Sequence, residues 1–168
     1  MKNRKKGFSL VELLIVLAVM AALIATITPV ALNAIKKSKA TQVAQNLKTL
    51  ASAIENAAYV NGINDNKTIK NANGSDPIEI EELARDLPKK DGTYLYGFAY
   101  TESSGKYDVV VFYGGLDANI DTVKEVLNAT NVGYSSTLLD ASKSLAKDGK
   151  DYSNTTGYIY YYFDFTVY

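Results

Sequence analysis

The sequence contains no His, no Cys and no Trp. The first two absences remove the usual general base near neutral pH, the thiol nucleophile and the commonest zinc ligands together. Thiol enzymes and metal hydrolases are therefore excluded; no enzymatic activity is expected, and no cofactor. Without Cys there is no disulfide, so packing and hydrogen bonds must hold the fold. Missing disulfides do not assign a compartment, because an exported protein can do without them.

Charge is scarce where it would matter most for solubility. Between Phe8 and Ile35 the only charged side chain is Glu12. The whole chain balances 18 basic against 18 acidic side chains, but Lys2, Arg4, Lys5 and Lys6 crowd the first six residues. Without residues 1–7 there remain 14 basic and 18 acidic groups, a mildly acidic remainder. A nucleic-acid footprint would need clustered Lys and Arg on a basic domain, so no nucleic-acid partner is expected. At 168 residues the chain suits one small domain with an appendage.

The appendage is N-terminal. Leu13 to Leu32 are 20 uncharged, mostly apolar residues, which as a helix reach about 30 Å, the thickness of a bilayer hydrocarbon core. The basic head before this run places residues 1–7 in the cytoplasm and everything after about residue 33 outside. An ordinary secretory signal would be cut after the apolar run, at Ala31 or Ala34, and a plain uncleaved anchor would not be cut at all. Neither gives a reason for Glu12. A carboxylate inside a spanning helix costs about 2.5–3.5 kcal/mol at the centre and less toward the end, and such groups usually have partners. If the chain is cut before Phe8, the new α-amine lies four residues upstream, one helical turn from Glu12. The same groups could pair between neighbouring copies, neutralising a charge that a helix bundle would otherwise reject.

Gly7-Phe8-Ser9-Leu10-Val11-Glu12, followed by Leu13-Leu14-Ile15-Val16, resembles the type III signal of type IV pilins and pseudopilins. The short basic leader, Gly before the cut, Phe after it, Glu fifth and Pro29 twenty-second in the mature chain all fit that pattern. The resemblance implies a leader at residues 1–7, cleavage between Gly7 and Phe8 by a prepilin peptidase, and N-methylation of the Phe8 amine. It implies that Phe8 and Glu12 serve assembly, with identical or related pilin subunits, an inner-membrane platform and a cytoplasmic ATPase as partners. The precursor would wait in the cytoplasmic membrane, then enter an extracellular pilus serving adhesion or motility. Similar motifs occur in type II secretion pseudopili and competence (DNA-uptake) pili, and residues 1–33 do not separate these alternatives.

Pro29 removes one backbone hydrogen bond from the apolar helix, so a bend or local melting is expected near residues 25–29, where Thr26 and Thr28 can bond nearby carbonyls. In the resembling family this stretch unwinds on assembly. Beyond Lys39, the residues Ala40, Val43, Leu47, Leu50, Ile54 and Ala57 recur at helical spacing, an apolar stripe on residues 34–60 that should carry a globular domain. One helix from Phe8 to Tyr59 is expected, reaching about 78 Å. Residues 61–77 read as an irregular connection, and Ile78 to Asp86 as a short helix stopped before Pro88.

The period then becomes two. Tyr94, Tyr96, Phe98 and Tyr100 share one strand face, and Tyr107, Val109, Val111 and Tyr113 share the next, around a turn at Ser103-Ser104-Gly105. Gly114-Gly115 ends the hairpin. Asp121 is a candidate cap for a helix from Thr122 to about Ala129, and Ser136 to Lys147 is a weaker helical candidate. A last strand alternates Ile159, Tyr161, Phe163, Phe165 and Val167 with Tyr158, Tyr160, Tyr162, Asp164 and Thr166, one face for the long helix and the other for solvent or a neighbour. The fold class is α+β, a long N-terminal helix packed on a small antiparallel sheet within residues 61–168, in agreement with the pilin fold.

Two further signals are discounted. Asp117, Asn119 and Asp121 alternate as in a calcium loop, yet the required Gly and Glu are missing, so no metal is expected. Thirteen tyrosines, five between Tyr152 and Tyr162, read as half-exposed strand residues rather than as a stacking surface for DNA.

Overall fold

The computed structural model describes residues 8–74, 77–115, 117–128, 132–134, 146–149 and 157–168. Its first element is helix α1, Leu10–Val60, 51 residues with Pro29 inside it. The chain divides into two compact units, Met1–Ser38 and Lys39–Tyr168. In the first unit, large apolar side chains such as Leu14, Ile15, Leu17, Ile24 and Ile27 are exposed. This stretch holds a window long and apolar enough to cross a membrane, with none of it buried.

In the second unit α1 buries Ala40, Val43, Ala44, Leu47, Leu50, Ala51, Ile54 and Ala58. The steps of three and four keep these side chains on one face. The stripe is wider than the sequence spacing predicted, because Ala44 and Ala51 widen it and Ala58 replaces Ala57, which is only partly buried. Each buried Leu or Ile on this face contributes about 1.5–3 kcal/mol of transfer energy.

Helix α2 is only Ile80–Leu83. It falls short of the predicted span; Ile80 is its one fully buried residue, and partly buried Leu83 packs on the core beside it. Strands β1 (Lys89–Lys90) and β2 (Thr93–Tyr94) form a two-residue antiparallel pair. Asp91 and Gly92 turn between them, both at positive φ. Tyr94 therefore leaves the strand that the sequence assigned to it. Strand β3 begins at Tyr96 and runs to Ser103; β4 is Lys106–Tyr113. Ser104 and Gly105 have φ of 54° and 84°, the doubly positive turn whose twist matches that of a hairpin. Ser103 pairs with Lys106 across it, and Tyr96 with Tyr113 at the far end.

Helix α3 is Ile120–Leu127. Its cap is Asn119, whose side chain accepts the Thr122 N–H at 3.0 Å; Asp121 lies inside the first turn, so its predicted capping role is corrected. Ala129 is outside the described residues. Strands β5 (Val132–Tyr134), β6 (Ala146–Gly149) and β7 (Ile159–Thr166) complete the sheet, in the order β5-β7-β4-β3-β6. Residues 136–145 of the weak helical candidate are outside the described residues, whereas Ala146 and Lys147 are strand, paired with Tyr100 and Ala99. Ladder bonding to β3 decides their conformation.

The alternation of β3, β4 and β7 sorts the core. Tyr96, Phe98, Tyr100, Tyr107, Val109, Val111, Tyr113, Ile159 and Phe165 join the α1 stripe in the main cluster. Ala99, Val110 and Phe112 are buried on the other face, against half-buried Tyr158, Tyr160 and Tyr162. This is the α+β architecture of a long helix packed on an antiparallel sheet.

The buried phenols also staple irregular chain to the sheet. The Tyr100 hydroxyl accepts the Ile69 N–H at 2.8 Å, and the Tyr107 hydroxyl donates to the Lys67 carbonyl at 2.9 Å. Both clamp the connection that follows α1. Burial pushes the Tyr100 phenol up to about 12, since the anion would lose its hydration there.

Candidate functional site

The candidate site is the start of α1. Phe8 is exposed, and Gly7 lies outside the described residues. Ser9 caps the helix: its carbonyl accepts the Leu13 N–H at 3.2 Å and its Oγ accepts the Val11 N–H at 3.3 Å. Glu12 closes the motif from the other side, its Oε2 accepting the Ser9 N–H at 2.8 Å. This is a variant of the capping box: Glu12 satisfies the Ser9 N–H, while the Ser9 hydroxyl satisfies the amide of Val11 rather than that of Glu12. The carboxylate also lies at the positive end of the helix macrodipole.

Glu12 thus has a local partner that a count of charges does not reveal, although Ser9-x-x-Glu12 is a readable capping signature. The bonded amide belongs to the Phe8–Ser9 peptide. Glu12 is therefore held against the residue whose amine cleavage would free.

Along the apolar stretch, helix continues through Pro29. Thr26 Oγ1 donates to the Leu23 carbonyl at 2.9 Å and Thr28 Oγ1 to the Ile24 carbonyl at 2.7 Å. These bonds hide the two hydroxyls, as an apolar environment requires. Neither reaches Ala25, whose carbonyl is the one that loses an amide donor to Pro29. A turn with one missing bond is where this helix is easiest to open.

In the second unit, Asp117 accepts a short hydrogen bond from the Tyr113 hydroxyl and pairs with Lys39 at 3.4 Å. Burial alone would raise the Asp117 carboxyl, but the Tyr113 bond and the Lys39 charge carry it below its ordinary value. Burial, then the Asp117 carboxylate, pushes the Tyr113 phenol up. Asn46 donates to the Tyr96 hydroxyl at 3.0 Å. Asp117 holds Lys39 and Asn119 caps α3, so two of the three calcium-like residues are committed to structure. Among the described residues no group of three or more acidic side chains could hold a metal.

An open groove among the described residues is lined by Glu79, Glu81, Glu82, Arg85, Lys89 and Tyr94. Its Lys89 is tied to Glu81 at 2.9 Å and lies 4.1 Å from the Tyr94 ring centroid.

Comparison with known proteins singles out the same region as the helix geometry. Residues 2–28 match the family described as the prokaryotic N-terminal methylation motif. The chain thus carries the class III signal motif of type IV pilin-like proteins, and motif and fold support a type IV pilin-like or pseudopilin precursor. The motif and the exposed apolar helix are consistent with a membrane-anchored precursor. No curated protein and no solved structure matches the chain.

Proposed function

We propose that this chain is a structural subunit of an extracellular type IV pilus, cleaved after Gly7, methylated at Phe8 and polymerised through α1. The observation that carries the proposal is a methylation motif on an exposed apolar stretch, residues 8–35, whose single charge, Glu12, is bonded to the Ser9 amide next to Phe8. In the membrane the Ser9 amide satisfies Glu12. Cleavage adds a cationic amine at Phe8, a stronger partner for a carboxylate than a neutral amide. In a growing filament the Phe8 amine of one subunit meets Glu12 of the next, while the apolar helices cover one another.

The partners are further copies of this chain, the prepilin peptidase and the inner-membrane platform. Pro29 supplies a weak turn that can lengthen the subunit as it leaves the bilayer. The test is intact-mass analysis and N-terminal sequencing of sheared surface filaments. A dominant chain beginning at methylated Phe8 is expected. An uncut chain retaining residues 1–7 overturns the proposal, and a cut chain confined to the membrane fraction replaces the pilus with a secretion pseudopilus.

A further inference from the structure

The first turn of α1 carries one more inference, which rests on the pilin reading. Cleavage after Gly7 adds water to the Gly7 carbonyl carbon, breaks its bond to the Phe8 nitrogen, and leaves a carboxylate on Gly7 and an amine on Phe8. That carbonyl must be open to attack. An α-helix hides such a group, because the carbonyl of each residue accepts the N–H four positions on. Carried one turn upstream, α1 would close the Gly7 carbonyl with the N–H of Val11.

The Val11 N–H is already taken. It goes to the Ser9 Oγ at 3.3 Å, while the Leu13 N–H bonds the Ser9 carbonyl at 3.2 Å. Phe8 and Ser9 accordingly lie outside the helix, which begins at Leu10. Little else in the sequence stops it there. Arg4, Lys5 and Lys6 are good helix formers, so of the residues just upstream only Gly7 opposes extension. Glu12 accepts the N–H of Ser9 rather than that of Val11. The side-chain bond that competes with the Gly7 carbonyl therefore belongs to Ser9.

We propose that Ser9 is a positioning residue for cleavage: by taking the Val11 N–H, its hydroxyl starts α1 after the scissile bond and keeps the helix from closing over the Gly7 carbonyl. The work of the first turn is then divided, with Ser9 serving the cut and Glu12 the assembly that follows. Because Ser9 acts through the backbone, any residue that caps a helix should replace it, with or without a hydroxyl.

Pulse–chase labelling of the full chain in the cells that make it tests this, with loss of residues 1–7 as the readout. Ser9→Ala exchanges a cap for a helix former and should be cut about five-fold more slowly, the effect of losing a typical N-cap. Ser9→Thr and Ser9→Gly should both be cut within about two-fold of the native rate, because Thr and Gly rank together as caps, far above Ala. Amide exchange at Phe8 should slow in the detergent-solubilised Ser9→Ala chain as helix grows upstream. A native cleavage rate in Ser9→Ala, or unchanged or faster exchange at its Phe8, overturns the proposal. So does a Ser9→Gly chain cut as slowly as Ser9→Ala, which would mean that the peptidase reads the hydroxyl itself. A native chain never cut between Gly7 and Phe8 overturns the pilin reading and this proposal with it.

Discussion

Glu12 has two separable properties, its charge and its place in a capping box, and substitutions can divide them. Gln at the same position keeps an acceptor for the Ser9 amide, since Glu and Gln both serve there, but it cannot attract an amine. Ala loses both. Cleavage after Gly7 is expected to proceed in either variant, because the scissile bond lies outside the helix that Glu12 caps. Assembly should fail in both: removing one partner of a buried ion pair costs about 3–5 kcal/mol. Filament yield from sheared cells measures this. Near-normal yield from Glu12→Gln would mean that the hydrogen bond matters and the charge does not. Glu12→Ala should lose up to about 1 kcal/mol more at the helix end through the lost cap, visible as faster amide exchange at residues 9–13.

The connection between β4 and α3 shows how an element join depends on missing side chains. A Cβ on Gly115 would lie 2.1 Å from the Tyr113 hydroxyl oxygen, and one on Gly114 would lie 2.7 Å from the Tyr158 ring. Tyr113 is fully buried and bonded to Asp117, whereas Tyr158 is half-buried and can swing aside. Gly115→Ala is therefore expected to destabilise the second unit by about 1–3 kcal/mol, the range for overpacking, and Gly114→Ala by less. Thermal melts of the detergent-solubilised chain rank the two.

Legibility also varied by element. The α1 stripe, the β3–β4 hairpin and β7 were readable because each is long and strictly periodic. Asp91-Gly92 is a standard hairpin dipeptide, but two-residue flanks left no alternation to reveal β1 and β2. The start of α3 was misassigned by two residues because Asn119 and Asp121 are equally good caps by composition; burial of Ile120 at the first helical position selects Asn119. Strand β6, with Ala-Lys-Asp-Gly, has no strand propensity, and its partner β3 imposes the conformation. The placement of β7 beside β4 is a long-range choice, rewarded by buried faces that no local window contains. At the candidate site, Phe8 and Glu12 were legible from the motif. The partner of Glu12 was legible in Ser9-x-x-Glu12 too, but a lone carboxylate in an apolar run directs attention to opposite charges before neutral amides.

For the whole molecule, tyrosine does much of the fastening. The Tyr96 phenol is pushed up to about 12, by burial against the opposing hydrogen bond from Asn46, and Tyr100 likewise by burial. The unfolded chain releases these protons near pH 10, before the folded one does. Their contribution to stability is therefore complete below pH 10, falls as pH rises from 10 to 12, and is gone above that. The difference between the unfolded and folded phenols corresponds to about 2–3 kcal/mol for each. Urea melts across pH 8–12 should show a plateau followed by a steep loss. Tyr100→Phe should flatten part of that loss while costing about 1–3 kcal/mol at neutral pH, because the Ile69 amide is left without its acceptor.

The clamps from Tyr100 to Ile69 and from Tyr107 to Lys67 do for this domain what a covalent staple does elsewhere. A phenol clamp needs no oxidase to close it and no isomerase to correct its pairing. It forms as soon as the strand and the connection meet. The domain can therefore reach its final fold on whichever side of the membrane thiols are kept reduced, and dithiothreitol should leave both its refolding rate and its melting temperature unchanged.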